Sequence, residues 1–497
     1  MTTALPEARL PGPESTPLSR FLGKFGVLRT AIRELWLVFA IKLLTTAAYA
    51  LTNSTLVLWL SSDLGYSDPK ALGVVATWSA LMTVFTLLVG SLTDAIGLRK
   101  TFFLGVFVCI IARGVMTLSN LEWLALFGGL FPLAMGEALG NPVLIAAVRR
   151  YSTTSQRSIA FSVSYTMMNV GFLVAAYVFD FVRKGLGEHG HIEFAGLHLT
   201  TYRVLFLISL FVECSVLPLL YFLRTGAEAG EDGLRLVPVR VRSSTGGLWR
   251  RLGQTVRESV QESIRLFAGL FRQDGFYRLL AFLMLIAFLK LIMMQMYYVY
   301  PKFGIRELGD GAPVGRLWAI NSILIILLVP VVGAFTQRFA AYRMVIVGGI
   351  VSAASVFIMA MPTAWFEPLA ASWAGKVLGH GYLGLTGLVH PYYVMIALFV
   401  VMLSVGEAFY SPRVYEYAAA IAPQGQEASY GALSYVPFLL AKLLVGTVSG
   451  FLLATYCPET GPRHSQTMWL IIGLMTVIAP VGLLIFRRYI RVAEAGR

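Results

Sequence analysis

Charged residues are scarce in this chain. They make up 13% of its 497 residues, whereas hydrophobic residues make up 57%, and the mean hydropathy is +0.72. A soluble protein of this length needs a larger charged surface to stay dissolved. The composition therefore excludes an ordinary soluble globular protein.

Cysteine and histidine are also rare. The three cysteines are Cys109, Cys214 and Cys457, and the first two lie inside apolar runs, so we expect no disulfide framework. Three of the histidines share one connection between apolar runs, but their spacing is not that of a metal site. Since no nucleotide-binding loop or catalytic-triad spacing stands out, we expect no cofactor, no metal and no enzymatic activity.

Long apolar runs, by contrast, are numerous. Many exceed about 18 residues, the length that a helix needs to cross a bilayer. The sequence therefore predicts an all-α membrane protein whose twelve transmembrane helices form two pseudo-symmetric six-helix bundles. The candidate spans lie at 35–60, 72–93, 101–119, 122–148, 158–181, 201–224, 278–300, 316–339, 342–361, 391–418, 429–453 and 466–488.

Polar stretches divide the chain around these spans. They predict cytosolic tails at 1–33 and 491–497, bundles at 34–224 and 278–490, and a cytosolic linker at 225–277. Apolar residues recur every four positions in the linker, at Leu248, Leu252, Val256, Val260 and Ile264. This period, with arginines on the remaining surface, predicts an amphipathic helix on the inner leaflet.

The net charge of +14 resides largely in short connections and tails. Basic residues follow spans two, four, eight and twelve, at Arg99, Lys100, Arg149, Arg150, Arg157, Arg338, Arg343, Arg487, Arg488 and Arg491. Because basic connections stay in the cytoplasm, this pattern predicts a multi-pass protein of the cytoplasmic (inner) membrane with both termini in the cytosol. The pattern also makes the lipid bilayer, and not nucleic acid, the expected partner of the positive charge.

Two segments repeat in the proper order in the two predicted bundles. Gly136-Glu137-Ala138 with Pro142 occurs in span four, and Gly406-Glu407-Ala408 with Pro412 occurs in span ten. The segment Val-Gly-Ser-Leu-Thr-Asp after span two is matched by Val-Gly-Ala-Phe-Thr-Gln after span eight. Repeats of this kind are typical of transporter folds that are built from two related halves.

The connection between spans two and three reads Gly-Ser-Leu-Thr-Asp-Ala-Ile-Gly-Leu-Arg-Lys, from Gly90 to Lys100. It resembles the major facilitator superfamily signature, G-x-L-x-D-x-x-G-x-R-K. Gly97 permits a tight turn, and Asp94 can pair with a cation or with a helix N-terminus. Together with Gly90, Arg99 and Lys100, these residues are predicted to gate the protein and not to bind substrate.

Four segments also resemble the proton-coupled oligopeptide transporter family within that superfamily. They lie at 56–60, 164–171, 320–322 and 406–423. The resemblance implies that Asn169, Asn321 and Glu407 bind the amino group of a substrate. The chemistry is sensible, because a carboxylate and two amide oxygens can replace the water around an ammonium.

The chain departs from that family in the other half of the site. The family pattern E-x-x-E-R falls on Lys42 and the threonines that follow it, and the next family arginine falls on Asn53. The span-four lysine of the family falls on Asn141, and its span-seven acid falls beside Gln295. The lysine and the acid are absent together, as expected if they form a pair, because a lone buried charge is costly.

Ionisable residues inside the predicted spans are functional candidates, because they are rare and costly there. We predict that Lys42, Glu137, Lys290 and Glu407 line a central cavity, with ion pairing between helices as the alternative for each. Arg113, Glu213 and Lys442 are interpreted as structural partners. The predicted substrate site comprises Lys42, Tyr49, Asn53, Asn141, Tyr165, Asn169, Lys290, Gln295, Tyr298, Trp318, Asn321 and Glu407, and the predicted proton-coupling groups are Glu137 and Glu407.

The resulting hypothesis is a monomeric secondary active transporter that moves a small amine-bearing solute by alternating access with proton coupling. Two alternatives stay open. The first is a facilitator or antiporter of a small organic anion that uses Lys42, Lys290 and Lys442. The second is a membrane scaffold that transports nothing.

Overall fold

Twelve long helices, α1 to α12, make up most of the described part of the chain. The computed structural model describes residues 26–153, 155–194, 196–230, 233–236, 257, 261, 274–336, 339–421 and 436–490. Within these ranges, eleven helices are long and apolar enough to cross a membrane. The twelfth long helix, α2, has 29 residues.

The first half contains α1 (Arg33–Ser62), α2 (Asp68–Ile96), α3 (Leu98–Leu118), α4 (Glu122–Arg150), α5 (Arg157–Leu186) and α6 (Thr201–Tyr221). The second half contains α7 (Asp274–Tyr298), α8 (Val314–Thr336), α9 (Ala341–Ala360), α10 (Pro391–Ile421), α11 (Val436–Leu444, continued by Val445–Ser449 and Gly450–Tyr456) and α12 (Ser465–Ile485). Each helix overlaps the span predicted for it, so the predicted twelve-helix fold is confirmed.

Shorter elements connect the long helices. They are the 3₁₀ turn Gly26–Thr30, the antiparallel hairpins β1–β2 (His191–Phe194 and Leu197–Thr200) and β3–β4 (Ala227–Gly230 and Gly233–Leu236), and the helices Tyr300–Leu308, Thr363–Phe366, Glu367–Ala371, Trp373–Lys376, Val377–Leu383 and Arg487–Ile490. We call Tyr300–Leu308 the α7 extension. The amphipathic linker helix predicted around 248–267 lies outside the described residues, except for 257 and 261.

The two halves repeat the same helix packing. In the first half, α1 packs on α5 and α6, α3 packs on α4 and α6, and α2 packs on α4. In the second half, α7 packs on α11 and α12, α9 packs on α10 and α12, and α8 packs on α10. The halves meet through α5 against α8 and α2 against α11, which is again a pair related by the same symmetry. This arrangement is the pseudo-symmetry that the repeated segments predicted.

The repeated Gly-Glu-Ala segment marks a close helix contact in each half. A Cβ atom on Gly136 of α4 would lie 3.0 Å from the backbone nitrogen of Cys109 and 3.0 Å from the carbonyl oxygen of Gly105, both in α3. In the second half, a Cβ on Gly406 would lie 2.8 Å from the carbonyl oxygen of Gly348 in α9. Small residues let helix backbones approach this closely. The glutamate that follows each glycine is therefore fixed relative to a tightly packed helix pair.

We call the end where α1 ends and α2 begins the α1–α2 end, and the opposite end, where α2 ends and α3 begins, the α2–α3 end. Because successive spanning helices alternate in direction, the α7 extension, the start of α8 and the segment between α9 and α10 lie at the α1–α2 end.

Substituting Gly406→Ala tests this packing. The added methyl group would meet the side chain of Ser352 and the Gly348 carbonyl, so α9 and α10 must separate. Overpacking of this kind typically costs about 1–3 kcal/mol. We expect a lower melting temperature in detergent for this variant. The matched control is Gly140→Ala, since a Cβ at Gly140 has no heavy atom within 4 Å, and equal melting temperatures for the two variants would refute the packing argument.

Candidate functional site

A carboxylate lies buried at the centre of the second half. The side chain of Glu407 in α10 is 6% exposed, and its Oε2 accepts a hydrogen bond from Nδ2 of Asn321 in α8 at 3.0 Å. The same amide group donates to Oγ of Ser404 at 3.0 Å. The structure thus brings together two of the three residues that the sequence assigned to an ammonium site.

Lysine 290 completes this cluster from α7. Its ammonium donates to Oγ of Ser411 at 3.4 Å and lies 4.9 Å from the centre of the Tyr410 ring. It also interacts electrostatically with Glu407. The cluster therefore pairs one buried carboxylate with one buried ammonium, so the pair carries no net charge, in keeping with the high cost of uncompensated charge in a membrane.

Aromatic side chains adjoin the Glu407 cluster on the side of the first half. Tyr297 of α7 packs edge-on against Trp318 of α8 at 5.9 Å and tilts against Phe172 of α5 at 6.1 Å. Tyr297 also interacts electrostatically with Glu407. These three rings line a cavity of ≈ 30 Å³ between the halves, which is room for about one water molecule.

A second charged cluster lies inside the first half. Arg113 of α3 is fully buried and donates to Glu137 of α4, while its Nη1 lies 3.4 Å from Oε2 of Glu213 in α6. Its Nε donates to Oγ1 of Thr52 in α1 at 3.2 Å. This arginine joins all four helices, so the structure places Arg113 and Glu213 as structural partners of Glu137.

Two lysines, one from each half, also interact with Glu137. Lys42 of α1 and Lys442 of α11 both interact electrostatically with this carboxylate. Lys442 belongs to the second half, and its ammonium lies 5.5 Å from the ring of Trp78 in α2. Trp78 in turn stacks on Tyr49 at 6.5 Å. The first-half cluster therefore receives a cation from the other half, which makes its charge balance sensitive to movement between the halves.

Polar contacts join the halves at the α1–α2 end. Asp68 at the start of α2 pairs with Lys302 of the α7 extension and accepts hydrogen bonds from Arg306, one of them at 2.8 Å. Burial lowers the pKa of the Lys302 ammonium, and the neighbouring Asp68 opposes that shift. Nearer the centre, the Tyr298 hydroxyl donates to Oδ1 of Asn53 at 2.7 Å.

A carboxylate from the first half also caps a helix of the second half. Asp180 of α5 accepts hydrogen bonds from the backbone N–H groups of Gly315 at 2.8 Å and Arg316 at 2.6 Å, at the start of α8. A helix N-terminus favours negative charge because its first N–H groups have no partner within the helix. Arg183 adds a hydrogen bond to the carbonyl oxygen of Asp310 at 2.9 Å.

We call this set of cross-half contacts the α1–α2 gate: Asp68 with Lys302 and Arg306, Asn53 with Tyr298, Asp180 with the α8 N-terminus, and Arg183 with Asp310. The sequence did not single out Asp68, Asp180, Lys302 or Arg306. Lys302 and Arg306, four residues apart on one helix, were the available signal, since such residues share a helix face.

The signature connection lies at the α2–α3 end. Gly97 has φ 88°, a conformation that favours glycine, so the predicted turn is present. Arg99 donates to the carbonyl oxygen of Tyr221 at 2.8 Å and to the Thr225 hydroxyl at 3.1 Å, and so caps the end of α6. Lys100 is exposed. The side chain of Asp94 and the surroundings of Gly90 lie outside the part of the chain that the structure describes.

The remaining predicted site residues are dispersed. Asn169 of α5 donates to its own helix, at the carbonyl oxygen of Tyr165, at 2.9 Å. Gln295 of α7 is fully buried and donates to Ser449 of α11. The side chain of Asn141 lies outside the described residues. Among the described hydrogen bonds, Asn169 thus has a local partner, and its role at the site stays a prediction.

Removing the buried arginine should destabilise the first half. The Arg113→Met variant leaves Glu137 and Glu213 without their shared cation, and breaking a buried pair in this way costs about 3–5 kcal/mol. We expect a clear loss of melting temperature in detergent. The double variant Arg113→Met/Glu213→Gln also removes the carboxylate that only Arg113 faces among the described ion pairs, while Glu137 keeps Lys42 and Lys442 nearby, so it should recover part of that loss. If the double variant is no more stable than the single one, an unpaired Glu213 is not the cause.

Comparison with known proteins agrees with this architecture. A model of the Major Facilitator Superfamily matches residues 38–382. Dipeptide and tripeptide permease A of Proteus mirabilis is 29% identical over 142 residues, which cover 28% of this chain and 29% of that protein. Solute carrier family 2, facilitated glucose transporter member 5 of Equus caballus is 27% identical over 152 residues, covering 29% and 30%. The chain thus aligns with about a third of the length of these relatives.

Solved structures extend the similarity of fold to the whole bundle. A POT family transporter in complex with 5-aminolevulinic acid superposes with a TM-score of 0.67 at 16% identity, covering 93% of this chain and 97% of that one. A structure of proton dependent oligopeptide transporters gives a TM-score of 0.65 at 19% identity, covering 92% and 99%. At this identity the likeness establishes the fold. Since the superfamily match extends over most of the sequence, the chain belongs to the Major Facilitator Superfamily.

Proposed function

We propose that this membrane protein is a secondary active transporter that moves a small amine-bearing solute by alternating access, coupled to protons and working as a monomer. The observation that carries the proposal is the buried Glu407 carboxylate, bonded to the amide of Asn321 and next to the interface between the halves. A carboxylate of this kind replaces the hydration of an ammonium.

The Glu407 cluster supports exchange of one cation for another. Lys290 supplies the positive charge that balances Glu407 in this structure. The ammonium of a solute can take the place of Lys290 beside Glu407 and leave the total charge of the pair unchanged. The Tyr297 and Trp318 rings lie beside the cluster and offer apolar and cation–π contacts to the rest of such a solute.

The first-half cluster favours an acidic group on the same solute. Lys42, Arg113 and Lys442 bring three positive charges to it, whereas Glu137 and Glu213 bring two negative ones. The excess of one positive charge would be offset by a carboxylate or a similar anion. A solute with an amine and an acidic group, such as a small peptide or an amino-acid derivative, matches both clusters.

The relatives support this class of solute. They include permeases named for dipeptides and tripeptides and a POT family transporter in complex with 5-aminolevulinic acid, which carries an amine and an acid. The chain lacks the E-x-x-E-R pattern of the peptide transporters, and Lys42 occupies that region instead. We therefore propose that this chain recognises the anionic group through Lys42 and Lys442 in place of that pattern.

Alternating access follows from the position of the contacts between the halves. The α1–α2 gate closes one end of the bundle, and the central carboxylates lie beyond it. The basic residues at the α2–α3 end support placing that end, with both termini, on the cytosolic side of an inner membrane. In this orientation the structure is closed towards the outside, and outward opening requires Asp68 and Asp180 to separate from their partners in the second half.

Proton coupling is proposed because the two central carboxylates are each balanced by lysines. Protonating Glu137 would leave Lys442, a residue of the other half, without its counter-charge and so favour separation of the halves. Protonating Glu407 would weaken its interaction with a bound ammonium. A proton can therefore alter both the gate and the affinity for the solute.

The organic-anion alternative is supported by one specific observation. Lys42 and Lys442 converge on a single carboxylate from opposite halves, so an anion alone could bind between them. A panel of peptides, amino acids, amines and organic acids separates the two functions. A ligand at a hundred times its Kd stabilises the folded protein by about 2.7 kcal/mol, and stabilisation by organic acids without an amine would favour the alternative.

Neutralising the central carboxylate should abolish transport. In the Glu407→Gln variant the ammonium loses its counter-charge, and the affinity for an amine-bearing solute is expected to fall about a hundredfold, roughly 2–3 kcal/mol. The measurement is uptake into liposomes, with the melting temperature as a test of folding. The control is Glu367→Gln, at an exposed carboxylate outside the site. Full uptake by Glu407→Gln would eliminate this residue as the ammonium site.

Proton coupling is tested in the same liposomes. An inwardly directed proton gradient should drive accumulation of the solute, and collapsing it with a protonophore should reduce uptake to equilibration. Uptake that is indifferent to the gradient would rule out proton coupling. If no solute of the panel moves and a fixed protein partner co-purifies, the scaffold alternative is supported in place of transport.

A further inference from the structure

The second half contains a segment that the first half lacks, although the two halves are otherwise related by symmetry. The connection between α3 and α4 is residues 119–121. The equivalent connection between α9 and α10 is residues 361–390, which we call the α9–α10 segment, and it contains four short helices. The segment is therefore an addition to the transport fold and not a requirement of its topology.

This segment exposes large apolar side chains. Trp365 is 69% exposed and Trp373 is 79% exposed, and Leu369 and Val377 between and after them are also exposed. The four residues are spaced four apart in the sequence, and each lies on a different one of the four short helices. In the described part of the chain, no other residues cover these side chains. Glu367 and Lys376 of the same segment are also exposed and provide a charged surface.

The position of the segment identifies what covers these side chains. The segment is tied at both ends to membrane-spanning helices, since α9 ends at Ala360 and α10 begins at Pro391. Those helices themselves expose apolar side chains on their outward faces, such as Ile350 and Val401, as lipid-facing helices do. Tryptophan concentrates where acyl chains meet headgroups, and helices with one apolar and one charged surface lie in that plane.

The α9–α10 segment also contacts the α1–α2 gate. The Tyr382 hydroxyl donates to the carbonyl oxygen of Arg316 at 2.8 Å, and Nη1 of Arg316 donates to the carbonyl oxygen of Leu383 at 2.9 Å. The backbone N–H of the same Arg316 donates to Asp180 of the first half. One residue thus links the segment to the cap of α8.

We propose that the α9–α10 segment is an amphipathic anchor in the lipid–water interface of the leaflet at the α1–α2 end, and that it holds the N-terminus of α8 in position for Asp180. The partner is the phospholipid bilayer itself, bound through Trp365 and Trp373. The anchor makes the position of α8, and hence closure of the α1–α2 gate, dependent on the surrounding leaflet.

Spin labels test the location of the segment. The full chain, with Cys109, Cys214 and Cys457 replaced by alanine, is labelled in phospholipid nanodiscs at Trp365→Cys, Trp373→Cys or, as the control, Glu367→Cys. Oxygen, which partitions into lipid, should relax the labels at 365 and 373, whereas a water-soluble nickel complex should relax the label at 367. Equal access of the nickel complex to all three positions would overturn the anchor.

Distance measurements test the link to the gate. Labels at the exposed positions Lys70 and Gly311, which lie outside the contacts of the gate, report the separation of the halves at the α1–α2 end. In nanodiscs, the Trp365→Ser/Trp373→Ser variant should raise the population with a long distance between the labels by about twofold or more. The Trp365→Phe/Trp373→Phe variant keeps apolar rings and should retain most of the population with a short distance. The control is Trp123→Ser, an equally exposed tryptophan at the start of α4. If the double serine variant and this control give the same distances, the anchor does not hold the gate.

Discussion

A charge inside a bilayer requires a partner, and this constraint organises the whole bundle. Arg113 satisfies it in the first half by contacting Glu137, Glu213 and Thr52, so that one side chain ties α1, α3, α4 and α6 together. Lys290 and Asn321 satisfy it in the second half around Glu407. Because an uncompensated buried charge is costly, these groups hold their helices together. For the same reason, any solute or proton that changes one charge alters the charge balance of the whole cluster.

Glycine lets helix backbones approach each other both within each half and between the halves. Gly136 and Gly406 do so for α3–α4 and α9–α10, and a Cβ on Gly315 of α8 would meet the carbonyl oxygen of Ala176 in α5. The α1–α2 gate adds hydrogen bonds and ion pairs between the halves, such as Asp68 with Arg306 and Asp180 with the α8 N-terminus. Polar contacts of this kind can exchange partners with water, so we expect the proposed movement between the halves to break them first.

The sequence predicted the helices well, because the thickness of the bilayer sets their length and the repeated Gly-Glu-Ala segment relates the halves. It also predicted the Glu407–Asn321 pair, since family motifs and membrane-buried polarity point to the same residues. It could not predict the gate, because Asp68 and Lys302 are far apart in the chain and each resembles an ordinary residue at a helix end. The α9–α10 segment could not be predicted either, because in the sequence it resembles an ordinary loop that contains tryptophans. Only the comparison with the short connection between α3 and α4 shows that it is an addition.

Recognition of a primary amine by Glu407 is tested most directly by a binding titration with the wild-type protein. It compares one stabilising amine-bearing solute with the analogue in which a hydroxyl group replaces the amino group. The hydroxyl removes the positive charge at nearly the same size, so we expect a loss of affinity of about a hundredfold. Equal affinity for the two forms would contradict an ammonium site at Glu407.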